Sequence, residues 1–329
     1  MLVDPHGRVV RDLRISVTDR CNFRCTYCMP EEGMEWLPRS EVLTFEEIAR
    51  VARICVERFG FDGIRLTGGE PTVRAHLPVL VEKLAGLGVD LSMTTNGATL
   101  RLLAEDLRAA GLRRVNVSLD SLRPERFLAL TRRDALDKVL DGIDAAIEAG
   151  FDPVKVNCVL VRGVNDDEVV DFARFGRSKG VTVRFIEFMP LDADGAWSLA
   201  SVVPCDEIVA AIDAEFPLEA VGHEGAEPAA RWRYRDGGGE VGVVASVTQS
   251  FCGSCDRVRL TAEGQFRNCL FAVRETDLRA VLRAGGDDAG SDDAVASAIE
   301  AEVGRKWAGH AIGQVTFVRP NRSMSQIGG

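Results

Sequence analysis

Six of the nine cysteines fall into two triads whose spacing suits metal chemistry. Cys21, Cys25 and Cys28 form CNFRCTYC near the start of the chain, and Cys252, Cys255 and Cys269 form a second group near its end. Clustered thiols in a chain without a secretory start more often bind metal or do redox work than pair as disulfides. Three thiolates leave one coordination position vacant. A structural zinc site wants four ligands, and none of His6, His76, His223 or His310 lies near the first triad in sequence. A four-iron cluster on three thiolates instead leaves one iron open to an outside ligand. For the second triad a zinc site stays open as an alternative, since CxxC on a turn is also half of a zinc knuckle. Cys55, Cys158 and Cys205 stand alone among apolar neighbours and read as small buried hydrophobes.

A second kind of chemistry adjoins the second triad. In Cys255-Asp256-Arg257-Val258-Arg259 the two arginines alternate with apolar residues, so both guanidinium groups emerge on one side of a strand. Planar Arg forks pair well with phosphate. The net charge of −10 argues against nucleic-acid binding by a generally basic surface, but it leaves room for a local basic cavity. Gly68-Gly69-Glu70-Pro71 closes a strand, where glycines let backbone approach a ligand closely.

These residues need a scaffold, and the chain has one. At 329 residues, 46% hydrophobic and 27% charged, it suits two domains or one large α/β unit with an extension. No window reaches the ~18 uninterrupted apolar residues of a membrane helix. The start MLVDPHGRVV lacks an apolar signal region, so a cytoplasmic protein is expected. Segments 13–17, 63–67, 91–96, 114–120, 153–160 and 181–188 read as strands. Helices are expected at 44–58 (with Thr44 and Glu47 as a capping box), 76–86, 100–110, 124–149, 166–179 and 204–215.

Six successive β/α units predict a parallel sheet with right-handed crossovers, either doubly wound or a barrel lacking two units. A strand covered on both faces should be nearly all apolar. Here one face is repeatedly polar: Arg14 and Ser16, Arg65 and Thr67, Ser92 and Thr94, Asn116 and Ser118, Lys155 and Asn157, then Arg184. That pattern suggests an incomplete (βα)6 barrel of TIM type whose wide interior holds a charged ligand. Past residue 217 the pattern changes to short strands, a helix near 275–284, an acidic linker at 285–293 and a last helix at 294–307. The expected domains are therefore a barrel, 1–217, and a smaller α+β domain, 218–329.

CNFRCTYC, with Tyr27 just before its third cysteine, resembles the CxxxCxxC signature of the radical S-adenosylmethionine (SAM) superfamily, and GGEP resembles that superfamily's SAM-binding motif. Both triads, GGEP, CDRVRL and the terminal Gly328-Gly329 together resemble the GTP 3′,8-cyclase family over about residues 9–329. The resemblance implies two 4Fe–4S clusters, one on Cys21, Cys25 and Cys28 with SAM, the other on Cys252, Cys255 and Cys269 with substrate. It implies Tyr27, Gly69, Ser118 and Met189 as SAM contacts, and Arg14, Arg65, Thr94, Lys155, Arg257, Val258 and Arg259 as GTP contacts. The implied reaction takes hydrogen from C3′ of GTP by a 5′-deoxyadenosyl radical and joins C3′ to C8, the first step of molybdopterin biosynthesis. No side chain is singled out as catalytic. The implied partners are a flavodoxin or ferredoxin as electron donor and cyclic pyranopterin monophosphate synthase as recipient, with no nucleic acid or membrane, and a homodimer is compatible. The Gly-Gly end would reach into the active site. Two other readings stay open: a radical SAM peptide- or protein-modifying enzyme with an auxiliary cluster, and a zinc-dependent structural or regulatory binding protein.

Overall fold

Six strands, each apolar on one face and polar on the other, pair side by side in chain order. The structure, a computed structural model, describes residues 1–192, 195–223, 225–284 and 289–328. A hairpin of β1 (Leu2–Val3) and β2 (Val9–Val10) precedes the main sheet. The parallel strands are β3 (Asp12–Ser16), β4 (Gly63–Thr67), β5 (Asp90–Thr95), β6 (Arg114–Ser118), β7 (Val154–Leu160) and β8 (Thr182–Glu187). Between and after them run α1 (Phe45–Phe59), α2 (Leu77–Ala85), α3 (Ala104–Ala109), α4 (Pro124–Thr131), α5 (Leu136–Glu148), α6 (Val169–Lys179) and α7 (Cys205–Glu215). Leu13, Ile15, Ile64, Leu66, Met93, Val115, Val117, Val156 and Phe185 are buried in one apolar cluster with the inner faces of these helices. The polar alternates are left to line the other face. Six β/α units thus form the incomplete barrel that the sequence pattern suggests, with no pairing that closes the sheet among the described residues.

The C-terminal third does not form a sheet of its own. It extends the barrel sheet at both edges. β9 (Leu218–Gly222), β10 (Ala230–Tyr234) and β11 (Glu240–Val244) continue beyond β8, with β11 parallel to it. β12 (Arg257–Leu260), β13 (Gln265–Arg267) and β14 (Thr276–Asp277) continue beyond β3, with β12 parallel to it. The result is a twelve-stranded sheet. α8 (Leu278–Ala284), α9 (Ala289–Val303) and α10 (Met324–Ile327) complete the fold. No helix of the described residues is long and apolar enough to cross a membrane.

The structure departs from the sequence expectation in four places. The single helix expected at 124–149 is two, because Arg132 adopts a left-handed conformation (φ 55°) and turns the chain. Of the acidic linker expected at 285–293, Gly285–Asp288 lie outside the described residues and the rest is the first turn of α9. There Asp292 accepts from Arg50 Nε at 2.7 Å and Arg53 Nη2 at 2.6 Å, which ties that turn to α1. The last helix accordingly starts before residue 294 and ends at Val303. β9 is not foreseeable from the sequence, because an edge strand with four exposed residues shows no burial alternation.

The expected capping box is present: Glu47 N donates to Thr44 Oγ1 at 3.1 Å and Thr44 N to Glu47 Oε2 at 2.8 Å. Thr44→Ala should lower stability by about 1 kcal/mol in urea unfolding, with no change in iron content. An unchanged midpoint would show that the tertiary contacts of α1 make the cap redundant.

Candidate active site

The first triad lies on the loop after β3, and two flanking segments fix that loop. On one side the Gly68–Pro71 turn stacks on it: Gly69 N donates to Thr18 O and Glu70 N to Arg20 O, each at 2.8 Å. A Cβ on Gly69 would overlap Arg20 O. The glycines are thus required by close approach to the cysteine loop itself, a reason the sequence could not separate from ligand approach. Glu70 is fully buried and accepts from Thr72 N (3.0 Å), Thr72 Oγ1, Thr95 Oγ1 and Asn96 N (2.6 Å each), locking the ends of β4 and β5 together. On the other side, Arg24 N and Thr26 N donate to Thr131 O and Leu130 O at the end of α4 (3.0 and 2.9 Å), and Arg132 Nη1 donates to Arg24 O and Met29 O (3.2 Å each). The left-handed Arg132 is therefore part of the clamp. Tyr27 is held by its hydroxyl, which donates to Asp120 Oδ2 at 2.6 Å.

The second triad sits across the interior. Cys252 and Cys255 flank one tight turn, and Cys269 follows β13. All six thiols line one cavity of about 280 Å³. None is in a disulfide, and among the described residues no three donors converge closely enough for a single metal ion. The two triads come from separate segments and face one cavity, three thiols from each.

Between the triads lies a row of buried cations. The sheet register sets Arg259 on β12 beside Arg14 on β3, and Arg14 beside Arg65 on β4. Arg257 and Arg184 line the same cavity. Burial, with the neighbouring guanidinium groups adding to it, lowers Arg14 to about 9 and Arg259 well below the ordinary range. Arg65 and Arg184 fall to about 10, again chiefly through burial. Arg14 Nε and Arg257 Nε and Nη2 are buried without a hydrogen-bond partner. Among the described residues the one carboxylate paired with Arg14, Asp12, is 3.9 Å away. So many close cations, with donors unmet, make a site for a polyanion.

The C-terminal turn reaches this row. Arg259 Nη1 donates to Gly328 O, and Ser325 Oγ donates to Cys28 O at 3.3 Å. A Cβ on Gly328 would overlap Ser16 Oγ, so glycine is required there. Gly329 lies outside the described residues.

Most of the residues expected at the site come together. Tyr27, Gly69, Ser118, Met189, Arg14, Arg65, Thr94, Arg257 and Arg259 line the cavity with the six cysteines. Two do not. Val258 points its side chain to the opposite, apolar face of the sheet, as alternation requires, leaving only its backbone for the interior. Lys155 lies in a smaller adjoining cavity shared with Arg184, where its Nζ is 3.1 Å from Glu227 Oε1. Strand alternation turns Arg184 inward but assigns it no role, although Asn157 and Asn116 side chains aim it into the cavity (2.9–3.0 Å). The sequence reading places Asp120 on the polar inner face but gives it no role, and it gives none to His310 or Lys306. Asp120 lies two residues past β6, where its carboxylate accepts from Tyr27 Oη at 2.6 Å and Val159 N at 2.8 Å. His310 and Lys306 are brought in only by tertiary folding.

The two triads differ in electrostatics. Burial raises Cys21 to about 11 and Cys28 to about 12, with Glu70 or a neighbouring thiol adding to it. Burial also opposes ionisation of Cys252, but hydrogen bonding from His310 and Ser250 outweighs it and brings this thiol down to about 6. A thiolate is the reacting species. In metal-free, reduced protein, alkylation of Cys252 by iodoacetamide should therefore rise through about pH 6 and level off above it, while Cys21 stays slow until about pH 11. Peptide mapping that finds Cys21 modified faster than Cys252 at neutral pH would contradict this.

Comparison with known proteins agrees with the geometry. Residues 15–176 match the Radical SAM superfamily and residues 181–312 match Molybdenum Cofactor Synthesis C. Proteins of Streptomyces coelicolor and Rhodopirellula baltica named GTP 3′,8-cyclase are 50% and 49% identical over 100% of this chain, covering 96% and 92% of their own. Streptococcus suis SuiB bound to S-adenosylmethionine shares the fold, with TM-score 0.58 at 12% identity, over 83% of this chain and 64% of that one. By full-length identity, and by a cavity built where those two matching segments meet, this chain belongs to the GTP 3′,8-cyclase family of radical SAM enzymes.

Proposed function

We propose that the chain cyclises GTP to 3′,8-cyclo-7,8-dihydro-GTP, the first step of molybdenum cofactor biosynthesis, in the cavity between its two cysteine triads. The observation that carries this reading is the row of buried, incompletely paired arginines spanning the space between the triads. A triphosphate concentrates enough negative charge to neutralise them together, whereas a peptide would need several carboxylates set opposite the row. In this reading Cys21, Cys25 and Cys28 hold the cluster that binds SAM, and Tyr27, Gly69, Ser118 and Met189 contact SAM. Cys252, Cys255 and Cys269 hold the second cluster, and Arg14, Arg65, Thr94, Lys155, Arg257, Arg259 and the backbone of Val258 contact GTP. When bound, SAM and the first cluster supply the 5′-deoxyadenosyl radical that removes hydrogen from C3′.

The protein's part is positioning. Arginines on three adjacent strands fix the phosphates at one end, so that the ribose lies between the two walls and the base reaches the second triad. Holding C3′ and C8 in contact removes most of the entropic barrier to their joining. The apolar lining from Phe23, Val159, Ile186, Leu270 and Phe271 keeps water from a reactive carbon radical. Lys155 must leave Glu227 to reach the substrate. A low-potential flavodoxin or ferredoxin as reductant, cyclic pyranopterin monophosphate synthase as the next enzyme and a cytoplasmic setting complete the proposal. So does a division into a barrel, 1–217, and a substrate-binding segment, 218–329.

Anaerobic assay of the reconstituted protein with GTP and SAM tests it. The wild type should form 5′-deoxyadenosine and the cyclised nucleotide together. Replacing Cys21, Cys25 and Cys28 by Ala should remove about half the iron, as expected for two like clusters, and abolish deoxyadenosine. Replacing Cys252, Cys255 and Cys269 should remove the other half and leave some SAM cleavage without cyclisation. Loss of all iron from either variant would mean a single shared centre.

A further inference from the structure

Lys306 occupies a position for which the reaction as described gives no reason. It follows α9 and is 3% exposed. Its Nζ donates to Arg257 O and Asn268 O, each at 2.6 Å, and lies 3.9 Å from Cys255 Sγ. A buried ammonium ordinarily has a carboxylate partner, because an unpaired charge in low dielectric is costly. Among the described residues no carboxylate pairs with Lys306. Glu302, one helical turn earlier, is committed to Asn268 Nδ2 at 2.8 Å and Thr276 Oγ1 at 2.9 Å. The nearest acidic group it touches is a cysteine sulfur.

Its two carbonyl partners are equally pointed. Arg257 follows the Cys252–Cys255 turn, and Asn268 immediately precedes Cys269. One ammonium therefore joins the two arms of the second triad. A second cation braces the same wall: Arg8, neutralised by Asp4, donates to Cys252 O and Trp307 O (2.6 Å each) and to Ala308 O (3.0 Å).

We propose that Lys306 is the counter-ion of the second iron–sulfur cluster, a positioning residue that spaces its two ligand arms and raises its reduction potential. The proposal rests on the reading that Cys252, Cys255 and Cys269 hold that cluster. A 4Fe–4S core of charge two-plus on three thiolates is a net monoanion, and one-electron reduction makes it a dianion. A fixed positive charge beside a ligand sulfur favours the dianion more, so it shifts the potential upward.

The test uses full-length protein lacking the first cluster (Cys21, Cys25 and Cys28 to Ala), so that only the second is titrated. In anaerobic mediator titrations followed by electron paramagnetic resonance, Lys306→Gln should move the midpoint to more negative potential, and Lys306→Arg should stay near the parent. In the reciprocal background, with the second triad replaced, Lys306→Gln should leave the first cluster's potential unmoved. If Lys306→Gln holds no second cluster while Lys306→Arg does, and both metal-free chains melt together, the charge is needed to keep the cluster at all, which also supports the proposal. An unchanged potential in Lys306→Gln with iron retained would overturn it, as would equal loss of the cluster from the Gln and Arg variants. Retention of the second cluster's iron after Cys252, Cys255 and Cys269 are replaced would overturn the ligand reading and the proposal with it, and iron content tells that failure apart.

Discussion

Three arginines abreast on neighbouring strands are the constraint around which this molecule is arranged. Arg259, Arg14 and Arg65 stand in register on β12, β3 and β4. Strands run about 4.8 Å apart, and like charges directly opposite destabilise a sheet. Burial makes the repulsion worse, since water cannot screen it. Such a row persists only where an apolar outer face and a full shell of helices hold the strands regardless. It is useful only where an anion comes to answer it.

That requirement explains the odd placement of the C-terminal third. Had residues 218–329 folded as a separate unit, Arg257 and Arg259 would have no fixed relation to Arg14. Instead β12 joins the barrel edge in parallel with β3, so one set of backbone hydrogen bonds fixes both the second triad and the cation row relative to the first. The opposite edge is closed by β11 on β8, whose last residue Glu187 accepts from Val247 N and Thr248 N at 2.8 Å each and anchors the chain as it crosses toward Cys252. The two triads then differ by environment. The first is packed among Asp120, Glu70 and its own thiols, and the second is ringed by Arg8, Arg257, Lys306 and His310.

Much of this is legible in the sequence because alternation is a strong local signal. The six barrel strands fall within one or two residues of where the apolar–polar pattern sets them, and the same pattern alone turns Arg14, Arg65 and Arg184 inward. Local capping chemistry likewise locates the start of α1. What is not legible depends on distant contacts. Arg132 breaks a helix that propensity would continue, because its guanidinium bonds carbonyls more than a hundred residues away. Asp292 is helical instead of linker because α1 offers it two arginines. Lys155 alternates onto the inner face as expected, yet Glu227, from a loop no local rule would place there, draws it into a side cavity. Val258 shows the limit of carrying a motif over whole, since its neighbours' side chains face the ligand space and its own cannot.

Centrally, the cation row is a cost to the empty fold and is relieved by the triphosphate. The most direct measurement is the melting temperature of the metal-free chain with and without GTP, for the wild type and Arg14→Met. The variant should melt higher than the wild type without GTP, because a repelled buried charge is gone, and it should lose most of the rise that GTP gives the wild type. A variant that melts lower without GTP and keeps the full rise would show that Arg14 serves the fold and not the substrate.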